Sequence, residues 1–374
     1  MASFHGKVRL LKGLLGGDVA YTGPFFVNVD LTRRCNLHCV GCRFHSSLLN
    51  QPTQRDPLGT QDMPLEFFER LCKELKTMGT KTITITGEGE PFLHRSLSDI
   101  LTVVKGEGFQ VTLVTNGTLL DRRDIQHLID SRVDSLRVSL LACTPLEYEN
   151  NYPGTDPIFL TRVVEGLKLL ARIKTEQESK FPFVVLHHPI NRTNVRTMGA
   201  MVDLAHATGV NALSFSPWKT FRGKFASWSL TKDDEQVLRS SLSRISQRLN
   251  ALSIKHNVQE LIQRYDIGCA VWQMLPCYIA WSHARILVDG TVLACHRSDL
   301  SMGNLHNDSL ERIWNGSAYR AFRNRARDLG GPAPLHEDCD CGFCGFVINN
   351  LDVHRYIKWF LPFVPGSSRR QSRT

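Results

Sequence analysis

The chain has 374 residues, enough to bury a full core and to hold roughly two domains. Its composition is globular, and no apolar run reaches the roughly 18 to 20 residues needed to span a bilayer. A formal charge of +9 is modest and is drawn in part from Arg369, Arg370 and Arg373, so nucleic acid is not an expected partner. Gly16 and Gly17 interrupt a short N-terminal apolar stretch and no cleavage site follows, which is not a secretory pattern. Without such a signal, 11 cysteines point to metal ligation in a reducing, cytoplasmic setting rather than to disulfides.

The hydrophobic period alternates along the chain between strand-like and helix-like. A strand over Phe25–Leu31 is followed by a helix near Pro64–Thr77, a strand over Thr82–Thr86 and a helix over Leu97–Lys105. Next come a strand at Val111–Thr115, a helix at Arg122–Ile129, a strand at Ser135–Leu140 and a helix at Phe159–Ile173. A strand at Phe183–His187, a helix at Val195–Ala207 and a strand at Ala212–Ser216 complete the series. Ser96 and Asp99 read as a capping box, and Thr231 with Asp234 as a helix start ahead of an apolar stripe through Leu238, Leu242, Ile245, Leu249 and Leu252. Repeated β-then-α units imply parallel strands with right-handed crossovers. Six of them suit an α/β fold, a partial (β/α)6 TIM-like barrel, whose chemistry gathers at the C-terminal ends of the strands.

Cys35, Cys39 and Cys42 follow the first strand at x3 and x2 spacing. Structural zinc and an ordinary iron–sulfur cube each take four protein ligands, so a cube held by three thiolates leaves one iron open. The stretch Cys-Asn-Leu-His-Cys-Val-Gly-Cys closely resembles the signature of the radical S-adenosylmethionine (SAM) enzymes. The resemblance implies the same partial barrel, a 4Fe–4S cluster on these three cysteines and SAM on the open iron. It further implies reductive cleavage of SAM to a 5′-deoxyadenosyl radical, and an electron donor such as flavodoxin or ferredoxin. Gly87-Glu88-Gly89-Glu90-Pro91, after the second strand, resembles the family's glycine-rich SAM-binding motif; glycines let the backbone approach a ligand closely. Thr115-Asn116-Gly117-Thr118 also matches the family's text, with Asn116 either a ligand contact or part of a strand-end turn. Ser139 stands where the family often contacts the ribose, and a buried strand serine is the alternative. Two positions depart from the pattern. Gly41 replaces the aromatic that normally lies near the adenine, and Leu141 replaces a common acidic residue.

A second group of cysteines lies downstream. Cys277 and Cys295 flank Val288-Asp289-Gly290-Thr291-Val292, a hairpin signal, and Cys341 and Cys344 follow as a Cys-x2-Cys pair. Four thiolates also suit zinc. The text around Met302-Gly303-Asn304-Leu305 and Leu310-Glu311-Arg312-Ile313-Trp314-Asn315 resembles the SPASM/Twitch extension of radical SAM enzymes, which carries auxiliary 4Fe–4S clusters. With only Cys339 added to those four, the resemblance implies one auxiliary cluster, as in the Twitch form of an aminocyclitol dehydrogenase. Cys277, Cys295, Cys341 and Cys344 are the expected ligands, with Cys339 able to exchange with Cys341. Cys72 falls on an apolar helix face with Phe68, Leu71 and Leu75, and Cys269 has no assigned role.

The expected organisation is an N-terminal lead over residues 1–23, the barrel over 24–220, a helical connector over 221–268, a small α+β auxiliary-cluster domain over 269–348 and an apolar then basic tail over 349–374. A closed four-thiolate cluster suits electron transfer, so the leading expectation is oxidation (dehydrogenation) of a small hydroxylated or amino substrate, with the auxiliary cluster accepting an electron. Base or substrate-contact candidates are His187, His188, Lys219 and Arg222. Cys143, after the fourth strand, is either a hydrogen-atom donor, which makes the enzyme an epimerase, or a small buried residue. A peptide-modifying maturase is the other enzymatic alternative; against it, only about two dozen residues precede the first strand, too few for a leader-binding domain. The non-enzymatic alternative is a zinc-stabilised binding protein. Tyr356, Ile357, Trp359, Phe360, Leu361, Phe363 and Val364 ahead of the arginines suit either packing on the barrel or a peripheral membrane contact.

Overall fold

The computed structural model describes residues 4–49, 61–220, 223–267, 276–296, 298–327, 341 and 344–357. The chain divides into two compact units, one of residues 29–69 and 83–266, the other of residues 1–28, 70–82 and 267–374.

The larger unit is built on parallel strands. β1 (Phe26–Asp30, of which Val29 and Asp30 belong here), β2 (Thr82–Thr86), β3 (Gln110–Thr115), β4 (Ser135–Ser139), β5 (Phe183–Ile190), β6 (Ala212–Pro217) and β7 (Lys255–His256) are neighbours in that order. Helices Leu97–Gly106, Arg122–Asp130, Ile158–Glu176, Met198–Ala207 and Lys232–Ala251 alternate with the later strands. This is the mixed α/β, TIM-like partial barrel expected from the sequence. Strand alternation separates the two faces: in β5, Val184, Leu186, His188 and Ile190 are buried, while Phe183, Val185, His187 and Pro189 face a more open side. The buried side meets helical stripes such as Leu160, Val163, Leu167 and Leu170, spaced three to four residues apart. The open side is the barrel interior.

Local signals held unevenly. The Thr231–Asp234 capping box is formed in both directions, and Leu238, Leu242, Ile245 and Leu249 are buried behind it, with Leu252 half-buried. The Ser96 box is not formed: its side chain makes no cap bond, and its N–H donates to His94 Nδ1 at 3.1 Å instead. The helix expected from Val195 opens with a 3-10 turn, Val195–Thr197. β7 was not anticipated, since two polar residues carry no period; it pairs with Ala212 and Leu213 of β6.

In the smaller unit, β8 (His283–Ile286), β9 (Thr291–Leu293) and β10 (Ser301–Asn304) form an antiparallel meander. The expected Asp-Gly hairpin is present, with Gly290 at φ 78°, a conformation glycine adopts without strain. The N-terminal lead contains a helix, Phe4–Gly16, and belongs to this unit. Its continuation is pinned where Trp314 Nε1 donates to Thr22 O at 2.7 Å and Asn315 exchanges hydrogen bonds with both backbone groups of Ala20. Arg323, fully buried, stacks over Trp314 and Tyr319 and donates through Nε to Ala280 O and through Nη1 to Asp18 O, while its Nη2 has no hydrogen-bond partner among the described residues. No helix among the described residues is long and apolar enough to cross a membrane. Arg222, Cys269, Cys339 and the tail beyond Ile357 lie outside the described residues.

Candidate active site

The cysteine loop leaves the C-terminal end of β1 and is anchored just ahead of its first cysteine. Thr32 Oγ1 donates to Asp62 Oδ1 at 2.6 Å, and Arg34 pairs with the other carboxylate oxygen at 2.6 Å and also donates to Leu93 O. Within the loop, the N–H groups of Phe44 and His45 point at Cys42 Sγ, at 3.4 and 3.2 Å. Such N–H···S bonds favour a charged sulfur ligand and tune a cluster's potential. Cys35, Cys39 and Cys42 are free thiols. Burial raises all three above the ordinary thiol range, Cys35 to about 11, with neighbouring thiols adding at Cys35 and Cys39. Three soft donors held as protonated thiols fit an iron–sulfur cube, which binds with loss of their protons.

Gly87–Pro91 lies directly against this loop. A Cβ on Gly89 would stand 2.7 Å from Thr32 O and closer still to Arg34 O, so only glycine permits the approach. Glu90 N donates to Arg34 O at 2.8 Å, and the Arg33–Glu88 ion pair (2.7 Å) closes the other edge. The Glu90 carboxylate is buried and accepts from Thr115 Oγ1 and Asn116 N, each at 2.7 Å, and from Phe92 N at 3.2 Å. Burial nevertheless pushes its pKa up to about 7. Asn116 is likewise committed inside the protein: its amide donates to Asn36 Oδ1 at 2.9 Å and accepts from Thr118 N at 2.9 Å. Both residues therefore brace the loops, holding Asn36 beside Cys35, whereas Ser139 stands on the interior face of β4, in register with His187.

The space left by Gly41 is filled. A Cβ there would lie 2.5 Å from Trp218 Cη2 and 2.9 Å from Cζ2, so the indole, just beyond β6, packs on the Gly41 backbone. The Trp218 ring is fixed by an Nε1 bond to Phe225 O at 3.0 Å. Sequence reasoning missed Trp218, although the missing aromatic at position 41 was the signal to look for a substitute.

The catalytic candidates separate by face. His187 points into the barrel interior between Ser214 Oγ (3.4 Å) and Ser216 Oγ (3.3 Å). Burial, then Arg137, Lys219, His188 and Arg264, depress its pKa well below the ordinary histidine range. His188 turns the other way, fully buried against Phe215 with Nδ1 2.8 Å from Leu140 O; the alternation of β5 removes it from the interior and from substrate. Lys219 follows β6 and is half-buried. Cys143 Sγ donates to Glu147 Oε2 at 3.3 Å, and burial with that carboxylate pushes its pKa up to about 12. The thiol therefore keeps its hydrogen at neutral pH and is not a nucleophile. Cys72 is fully buried in the core, as expected.

In the smaller unit, Cys277 and Cys344 are buried and Cys295 and Cys341 half-buried. Burial raises the Cys277 thiol, and Cys344, Cys295 and Cys341 each add to the effect. Cys277 N donates to Ala326 O, and Phe346 N reaches Cys344 Sγ at 3.4 Å. His283, His296 and Phe346 pack ring to ring beside them, at 4.6 Å for each pair with Phe346. Four thiols with apolar cover suit a closed cluster.

Comparison with known proteins agrees with both centres. The radical SAM superfamily profile matches residues 29–205, and that of the SPASM iron–sulfur cluster-binding domain matches residues 277–342. The antilisterial bacteriocin subtilosin biosynthesis protein AlbA of Bacillus subtilis is 33% identical over 351 residues, covering 91% of this chain and 71% of that protein. The tungsten-containing aldehyde ferredoxin oxidoreductase cofactor-modifying protein of Pyrococcus furiosus is 24% identical over 345 residues, covering 86% and 89%. Among solved structures, Streptococcus suis SuiB bound to precursor peptide SuiA superposes with a TM-score of 0.63 at 16% identity, covering 85% of this chain and 70% of that one. The cofactors are those of the family: a 4Fe–4S cluster with SAM, and auxiliary iron–sulfur binding in the C-terminal domain. With a third of its residues shared with AlbA across most of both chains, the protein belongs to the radical SAM superfamily and carries a SPASM domain.

Proposed function

We propose that this enzyme is a maturase that modifies a peptide. The similarity to AlbA, a bacteriocin biosynthesis protein, over 91% of the chain is the observation that carries this reading. The bound cluster and SAM supply hydrogen-atom abstraction from the substrate. Cys35, Cys39 and Cys42 hold that cluster; the Gly87–Pro91 backbone lines the SAM site; Glu90 and Asn116 keep the two loops in register; Ser139 faces the same interior. Cys277, Cys295, Cys341 and Cys344 hold an auxiliary cluster that serves as electron acceptor.

Dehydrogenation of a small hydroxylated or amino substrate is a second reading. It is favoured by the cysteine count, since Cys277, Cys295, Cys339, Cys341 and Cys344 suffice for one auxiliary cluster only. Anaerobic incubation of the reconstituted enzyme with SAM, reductant and fractionated extract separates the two. The maturase reading expects 5′-deoxyadenosine together with a peptide lighter by two hydrogens per bond formed. 5′-Deoxyadenosine with an oxidised small molecule alone overturns it, and no 5′-deoxyadenosine from a fully loaded enzyme sinks radical chemistry altogether.

A further inference from the structure

The barrel interior contains an arginine that neither the cluster loops nor the fold uses. β4 alternates Ser135, Arg137 and Ser139 on its interior face with buried Leu136 and Val138 on the other. In register, Arg137 lies beside Val114 of β3 and Val185 of β5. His187 sits one layer nearer the C-terminal ends, beside Ser139 and Ser214. Among the described residues the Arg137 guanidinium has no hydrogen bond and no ion pair, and only the desolvation imposed by the surrounding strands acts on its titration. Arg137, Lys219 and Arg264 all act as cations on His187, whose two ring nitrogens are already met by serine hydroxyls. The Arg137 side chain is exposed to the open interior, so a guanidinium without a counter-charge stands accessible to an arriving anion, and a substrate that covers it supplies the missing partner. The planar fork matches a carboxylate, which accepts two parallel N–H bonds.

Depth assigns the anion. Arg137 precedes the C-terminal end of β4 by two residues, whereas the cysteine loop leaves the C-terminal end of β1. The guanidinium is thus carried on the strand below the level of the cluster loop, on the interior face of the barrel. We propose that Arg137, flanked by His187, binds a carboxylate of the substrate and fixes the depth at which that substrate sits in the barrel. The subsite goes beyond the maturase reading and does not depend on it: an acidic side chain or chain terminus of a peptide, or a small carboxylic acid, presents the same chemistry.

The test is protection of Arg137 from phenylglyoxal in the reconstituted holoenzyme, read by peptide mass spectrometry. The competitors are succinate, the blocked tripeptide N-acetyl-Gly-Asp-Gly-amide and its Asn analogue, each with and without SAM. Loss of a charge-assisted bidentate contact weakens binding by about tenfold or more, so protection of at least that size is expected from an acid and none from the Asn analogue. Protection by the tripeptide alone assigns the carboxylate to a peptide; protection by succinate alone assigns it to a small acid. Arg137→Gln is expected to bind SAM as the unaltered enzyme does in equilibrium dialysis. Failure of both acids to protect, or loss of SAM binding in Arg137→Gln, overturns the proposal. Either result leaves the maturase reading standing, because that rests on the product of turnover.

Discussion

Gly41 and Trp218 form a pair whose coupling follows from geometry. Trp218 is 7% exposed, its Nε1 is bonded to Phe225 O at 3.0 Å, and its ring lies 6.3 Å from that of Trp228. An alanine methyl at position 41 would stand 2.5, 2.9 and 3.2 Å from three atoms of the indole. Carbon atoms pack best at about 3.5–4.0 Å, so the ring must retreat by about 1 Å. Trp228 and the Phe225 bond oppose that retreat, and overpacking of this kind costs about 1–3 kcal/mol. Trp218→Ala by itself removes a large buried side chain and should cost about 3–5 kcal/mol. With the indole gone, Gly41→Ala meets nothing, so its further cost should be close to zero and the double-mutant coupling about 1–3 kcal/mol. Thermal unfolding of the four holoproteins at one scan rate reads this, at about 2–4 °C per kcal/mol for a domain of roughly 150–250 residues. Gly41→Phe combined with Trp218→Ala, which returns an aromatic to position 41, should recover part of the lost stability. If Gly41→Ala costs the same in both backgrounds, Trp218 does not occupy the space of the absent aromatic and the reasoning fails.

Gly89→Ala should push the Gly87–Pro91 loop off the cysteine loop, because the new methyl meets backbone carbonyls that cannot rotate away. SAM affinity should fall by about 10- to 100-fold, while Gly106→Ala, with nothing within 4 Å, should bind SAM normally; equal affinities in equilibrium dialysis would remove the close-packing argument. Glu90 has its folded pKa raised from 4.5 to about 7, so the native site holds a proton that the unfolded chain releases. Its contribution to stability therefore declines as pH rises from about 4.5 to about 7, by a few kcal/mol at most, and levels off above that. Glu90→Gln should flatten the part of this decline seen between about pH 5 and about pH 7 in denaturant titrations, and parallel slopes for the two proteins would refute the assignment. Cys341→Ser should lower iron from about eight to about four atoms per chain and leave uncoupled SAM cleavage in place. Cys339→Ser should retain the full complement; the reverse pattern would exchange the two ligands.

What could be read in the sequence was whatever local chemistry writes into consecutive residues. The x3 and x2 cysteine spacing, the Gly87–Pro91 loop and the Asp-Gly hairpin each announce themselves within a few positions, and strand and helix periods located all six expected strands. What could not be read arises from register between distant segments. Asn116 matches a family motif, yet its amide is spent on Asn36; that is visible only when the loop after β3 lies on the loop after β1. His187 and His188 are adjacent and chemically equal, and only the pleat of β5 sends one into the interior and the other into the core. Trp218 takes up space next to Gly41 although no motif joins them. Arg137 is a single polar residue in an otherwise ordinary strand, and it gains meaning because its two flanking strands offer Val114 and Val185 and no carboxylate. The division follows the architecture of the barrel. Loops at the strand ends carry the cofactor-handling residues as compact motifs, whereas each strand contributes only one or two interior side chains at alternate positions. Residues that select a substrate are therefore scattered singly across the sequence. Two members of this family with identical cysteine loops can differ in substrate through changes such as Arg137 to a neutral residue, which alter no motif.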